Sequence, residues 1–70
     1  DMKYTAHYYG RVIPGGYAYV VKLEGPKCYV WRGIDGRWVE NDYFHRARFD
    51  TTYYDEITEA QAQEVIESYK

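Results

Sequence analysis

Cys28, His7 and His45 are the side chains that could pair as nucleophile and base, because a thiol needs a neighbouring imidazole to ionise near neutral pH. Their spacing matches no nucleophile signature. One cysteine and two distant histidines also lack the paired ligand spacings of a structural zinc site. Cys28 alternates with aromatic residues on a strand, which predicts a buried, unreactive thiol. Asp55, Glu56 and Glu59 form a second group that could in principle share a proton. Acids gather at helix starts for electrostatic reasons, so this group is read as a capping region. The glycines of Pro14-Gly15-Gly16 and of Gly33 to Gly36 stand where strands reverse, not in a phosphate loop. The expectation is a protein that is not an enzyme and uses no metal and no cofactor.

The aromatic side chains carry more information. Ten of the 70 residues are tyrosine and two are tryptophan, and most lie at strand-like spacing among Val, Ala and Thr. Such residues suit a pleated, half-buried surface and keep a polar tip that tolerates water. Tyr, Trp and Arg also anchor interfaces. Tyr17, Tyr19, Tyr29, Trp31 and Trp38 with Arg37 are therefore the candidate partner-binding set, and Tyr9 is a neighbour. The expected function is a small non-enzymatic interaction module whose partner is another protein or a second copy of the chain. An inhibitor of a host nuclease or defence complex, encoded by a phage, is one version of it. A rival reading is single-stranded nucleic acid, with bases stacked on the aromatics and Arg32, Arg37, Arg46 and Arg48 tracking phosphates. The formal charge of −2 places that reading second.

Length and charge bound the rest. Residues 2–70 can build only one core, hence one domain, and Asp1 is set aside from it. Up to Phe49 there are eight Lys/Arg against five Asp/Glu, whereas from Asp50 onward six acids face Lys70 alone. That asymmetry predicts an acidic tail folded against a mildly basic body. A single cysteine excludes an internal disulfide, so a reducing, cytoplasmic setting is expected. No apolar run is long enough to cross a bilayer as a helix.

These side chains need a sheet to hold them. Lys3 to Ile13 reads as a strand with Tyr4, Ala6, Tyr8 and Val12 on one side and Thr5, His7, Tyr9 and Arg11 on the other. Pro14-Gly15-Gly16 ends it. In Tyr17 to Leu23 the alternation places Tyr17, Tyr19, Val21 and Leu23 together, against Ala18, Val20 and Lys22. Glu24-Gly25-Pro26 reverses the chain into Lys27 to Arg32. Asp35-Gly36 predicts a two-residue type I′ hairpin that sets Trp38 opposite Gly33. Tyr29, Trp31 and Trp38 then share a face, and Cys28, Val30 and Val39 the other.

Asn41 or Asp42 caps a short helix carrying Phe44, Ala47 and Arg48 that ends near Asp50. Thr51 to Ile57 reads as an extended connector or a brief extra strand. Thr58 and Gln61 make a capping box, with Ile57 and Ala62 placed as a hydrophobic staple. Ala62, Val65, Ile66 and Tyr69 form the apolar stripe of the terminal helix. The fold class is thus α+β, an antiparallel meander of about four strands with a C-terminal helix on one face and a short helix before it. An aliphatic stripe predicts that the terminal helix covers Ala18, Val20, Cys28, Val30 and Val39. That would leave the Tyr17, Tyr19, Tyr29, Trp31 and Trp38 face for a partner.

Tyr29-Val30-Trp31, then Gly36-Arg37-Trp38-Val39, then Asp55-Glu56-Ile57-Thr58-Glu59-Ala60 before a terminal helix resembles a group of small uncharacterised proteins of bacteria and their phages. These are scaffold motifs. The resemblance implies a sheet-plus-helix fold and assigns no activity to any residue.

Overall fold

The computed structural model describes residues 4–70. The expected start of the first strand at Lys3 lies outside them. Five antiparallel strands, β1 (Ala6–Ile13), β2 (Gly16–Glu24), β3 (Lys27–Arg32), β4 (Arg37–Glu40) and β5 (Tyr54–Ile57), form one sheet in the order β4-β3-β2-β1-β5. A 3-10 helix (Asp42–Arg48) links β4 to β5, and α1 (Glu59–Ser68) closes the chain. The α+β class, the meander and both helical segments are as the residue pattern predicts. The fifth strand comes from the Thr51 to Ile57 segment, which adds to the free edge of β1 through Tyr8↔Ile57 to Arg11↔Tyr54.

Local chemistry sets the ends of these elements. Gly15, at φ +88°, follows Pro14 in the two-residue turn between Ile13 and Gly16, the proline-then-glycine order of a type II turn. Gly25, at φ +60°, opens the turn between Glu24 and Lys27, and the Pro26 ring fixes a negative φ after it. Glycine in the first central position is the mark of a type II′ hairpin, whose twist matches its strands. The Asn41 side chain accepts from the Tyr43 N–H at 3.0 Å to cap the 3-10 helix. At α1 the capping box is complete: Thr58 Oγ1 accepts from the Gln61 N–H at 3.1 Å, and Gln61 Oε1 accepts from the Thr58 N–H at 2.9 Å. Ile57 and Ala62 pack in one cluster beneath it.

The β3–β4 hairpin differs from the expected one. Trp31 pairs with Trp38 and Arg32 with Arg37, which leaves Gly33 to Gly36 as a four-residue loop. The Arg32 carbonyl accepts from both the Asp35 and the Gly36 N–H at 3.0 Å, and Arg32 Nε donates to Asp35 Oδ2 at 2.9 Å. That double acceptance holds Asp35 and Gly36 late in the loop, not at its centre. The register moves by two residues, so parity survives and Trp31 and Trp38 still share a face. Gly33 faces Tyr69, not Trp38: a Cβ there would meet the Tyr69 ring at 3.3 Å.

The relation of β2 to β3 overturns the expected division of faces. A two-residue turn pairs odd positions of β2 with even positions of β3, giving Val21↔Val30, Leu23↔Cys28 and Val20↔Trp31. Setting Tyr19 beside Tyr29 and Trp31 would need odd to pair with odd. The aliphatic face is instead Val21, Leu23, Cys28 and Val30, joined by Val39, Tyr9, Tyr19 and Tyr54. Phe44 and Ala47 of the 3-10 helix cover it. The terminal helix lies on the other face, over β1 and β2, where Ala62 and half-buried Val65 meet Val20 and Ile57, and Ile66 is buried as well. Val20, Val21, Leu23, Cys28 and Val30 are wholly buried. Each full burial of such a side chain is worth roughly 1.5–3 kcal/mol, so both helical layers contribute to folding.

A bulge completes the rearrangement. Between Gly10↔Val20 and Val12↔Tyr17, β2 advances three residues while β1 advances two. The extra residue reverses alternation beyond it. Tyr17 therefore leaves the face of Tyr19 and joins Val20 under α1. Its ring lies against the bare backbone of Gly10, where a Cβ would sit 2.5 Å from Tyr17 Cδ1.

Candidate functional site

The thiol and the imidazoles do not meet as a catalytic pair. Cys28 is buried on β3, and burial pushes its thiol up to about 11; the charge of Asp42 adds to that and Arg48 opposes it. His7 Nδ1 lies 3.6 Å from Glu56 Oε2, and His45 Nε2 lies 3.7 Å from Asp42 Oδ1, so both imidazoles face surface carboxylates. Among the described residues no group of three His, Cys, Asp or Glu stands close enough to hold a metal ion. Asp55 and Glu59 serve tyrosines on the α1 side: Tyr17 donates to Asp55 Oδ2 at 3.1 Å and Tyr8 to Glu59 Oε2 at 3.3 Å. Burial and these carboxylates hold both phenols above their ordinary range.

The six residues proposed for partner binding are divided by the sheet. Trp31 is 4% exposed and belongs to the core, because Val20 and Trp38 flank it across both ladders. Tyr19 is on the opposite face, where it packs edge-on to Phe44 and bonds Tyr54. Tyr17 is held beneath α1, and the Tyr69 hydroxyl donates to its carbonyl at 2.9 Å. Arg37 is exposed but pairs with Arg32, so its side chain leaves the sheet on the face away from Trp38. Tyr29 and Trp38 stay half-buried together on the α1 face, and Lys22 joins them there.

That remnant is an ordered strip. Lys22 Nζ stands 5.0 Å from the Tyr29 ring centroid and 4.6 Å from that of Trp38, within the range of cation–π attraction. Tyr8 extends the strip, its ring centroid 6.3 Å from Trp38 at a tilted 58°. Cross-strand pairing explains the grouping: Tyr8↔Lys22 and Lys22↔Tyr29 run across the sheet, and Trp38 sits diagonally on β4. Four-residue β4 is also an edge, with no strand beyond it among the described residues. Among the described residues, Lys22 is the cation that stacks on these rings.

A second site lies on the other face and was not legible in the sequence. Arg11 of β1, Tyr43 and Arg46 of the 3-10 helix, and Asp50, Tyr53 and Tyr54 surround a cleft of about 350 Å³ with Tyr19 at its floor. The Arg11 guanidinium stacks 4.7 Å from the Tyr53 centroid, and that of Arg46 5.0 Å from Tyr43. Both outer tyrosines are exposed, while Tyr54 is buried with its hydroxyl 2.7 Å from that of Tyr19. Burial, then this hydrogen bond, raises the Tyr54 phenol far above its ordinary range. Arg46 appeared in the sequence only as a partner of nucleic acid. Arg11, Tyr43 and Tyr53 gave no signal, because the β1–β5 pairing brings Arg11 beside Tyr53 and the 3-10 helix supplies Tyr43.

A groove of about 430 Å³ between the Pro14–Gly15 turn and α1 is better formed in volume, but Glu64 is the single ionisable acid on its wall and no second charged group converges on it. Comparison with family models, with curated proteins and with solved structures finds no match to this chain.

Proposed function

We propose that this chain is a non-enzymatic protein-interaction module that offers the Tyr8–Lys22–Tyr29–Trp38 strip and the adjoining β4 edge to a protein partner. The observation that carries the reading is the seating of Lys22 against two half-buried aromatic rings beside the outer edge of β4, which no described strand pairs. Rings already held in place lose little side-chain entropy on docking. An open edge supplies backbone N–H and C=O groups to an incoming strand. Tyr and Trp are the side chains that most often dominate binding energy.

The nucleic-acid reading has less support. Arg32 is tied to Asp35, and Arg46 lies over Tyr43 on the side of the sheet covered by the 3-10 helix. The basic side chains thus do not border the aromatic strip as a stacking platform requires. No helix among the described residues is long and apolar enough to cross a membrane.

The test compares capture of partners by wild type, Trp38→Ala and Ile34→Ala, with sedimentation of each for self-association. Ile34 is a control at 91% exposure on the β3–β4 loop and is not one of the strip's residues. Trp38→Ala should lose the partner or the self-association while keeping a cooperative melt, lowered by the loss of a half-buried ring, and Ile34→Ala should keep both. If Trp38→Ala captures the same partner equally well, the strip is not the interface.

A further inference from the structure

We propose that the cleft between Arg11 and Arg46, on the face opposite the aromatic strip, binds a phosphate monoester. Three donor groups converge there, two guanidiniums and a phenol hydroxyl. The two guanidiniums face one cleft, and among the described residues neither pairs with a carboxylate. Stacking on Tyr53 and Tyr43 orients them. Each spends one N–H, Arg11 on the Val12 carbonyl and Arg46 on the Tyr43 hydroxyl, so most of their donors stay free. At the floor one of the Tyr19 and Tyr54 hydroxyls donates to the other, which leaves the acceptor's own proton unspent.

Asp50 is the acid on the wall. It accepts the Tyr53 N–H at 3.2 Å, and against two guanidiniums it leaves a net positive cleft. The neutral Tyr54 phenol adds no opposing charge, since burial keeps it protonated. A carboxylate offers two oxygens to these groups. A phosphoryl group offers three and carries up to two charges, which matches two guanidinium forks and one hydroxyl. The cleft's 350 Å³ lies at the small end of ligand sites, about 300–1,000 Å³, and suits a small molecule or a single modified side chain.

The test is a titration of the intact, isotope-labelled chain with phenyl phosphate, inorganic phosphate and benzoate, followed by amide shifts. Phenyl phosphate should move signals of Arg11, Arg46, Tyr53 and Tyr54, and benzoate should bind more weakly. Weaker binding of inorganic phosphate than of phenyl phosphate supports an esterified ligand, whereas inorganic phosphate binding as tightly would overturn the monoester assignment in favour of the free anion. Arg46→Gln, at an exposed position, should weaken phenyl phosphate on the order of tenfold while leaving the thermal transition in place. Arg11→Gln should do the same, its folding checked by the same melt. Benzoate binding as tightly as phenyl phosphate, an unchanged affinity in folded Arg46→Gln, or no shift at millimolar phenyl phosphate would each overturn the proposal.

Discussion

Replacing Gly10 by alanine tests the bulge that places Tyr17 beneath α1. The new methyl would lie 2.5 Å from Tyr17 Cδ1 and 2.6 Å from Cγ. Cγ is the root of the ring, so the clash cannot be relieved by bending the far end of the side chain. Tyr17 would have to change rotamer, leaving Val20, Ile57 and Ala62 and its hydrogen bond to Asp55. Overpacking of this kind costs about 1–3 kcal/mol, against a gain of about 0.4–1 kcal/mol from removing a glycine's freedom in the unfolded chain. The net is a loss centred on about 1.3 kcal/mol, which for a domain of this size lowers Tm by roughly 5–10 °C. Thermal and urea unfolding of Gly10→Ala, Tyr17→Ala and the double variant complete a cycle. In the Tyr17→Ala background the obstacle is gone, so Gly10→Ala should be neutral or stabilising, with a coupling of about 1–3 kcal/mol. If Gly10→Ala melts at or above wild type while Tyr17 is present, the ring does not lie on Gly10 and the assigned faces of β2 are wrong.

Thr58→Ala removes one half of the capping box and should cost about 1 kcal/mol, read as a lower urea midpoint with unchanged slope. Cys28 should react slowly with thiol reagents in the native state and rapidly in denaturant, because its thiol is buried and held up to about 11; fast native labelling would refute its placement. Stability should fall on the alkaline side. Cys28 and Tyr54 are both raised in the folded state, so their contribution is complete below the unfolded values of 9.0 and 10.0, and it is lost as pH rises from those values through the folded ones. Tyr54→Phe should therefore flatten the loss above about pH 10 in a series of urea midpoints, whereas an unchanged slope would deny the phenol that role.

Local signals made much of this fold legible. Thr58 with Gln61, Asn41 before the 3-10 helix, and the glycine–proline turns each act within a few residues of themselves, and each forms where the residues place it. Long-range parity was harder to read. The Gly25-Pro26 turn decides whether Tyr19 sits with Cys28 or with Tyr29, and one residue of loop length exchanges the two faces. The bulge at Ala18–Tyr19 carries no glycine or proline to mark it, so simple alternation misplaced Tyr17. These two facts together explain why Tyr29 and Trp38 remain in the candidate interface, while Trp31 enters the core and Tyr19 the 3-10 helix face. The arginine cleft depended on β5 pairing with β1, which brings Arg11 beside Tyr53 from far along the chain.

The indole N–H and β4 amide signals of the isotope-labelled chain test the interaction surface most directly, measured across a concentration series and with any captured partner. Binding at the proposed surface should shift or protect Trp38, Val39 and Glu40 together with Tyr8, Lys22 and Tyr29, leave the amides of the 3-10 helix on the opposite face nearly unmoved, and vanish in Trp38→Ala. Shifts confined to α1 or to the 3-10 helix, with Trp38 silent, would contradict the account.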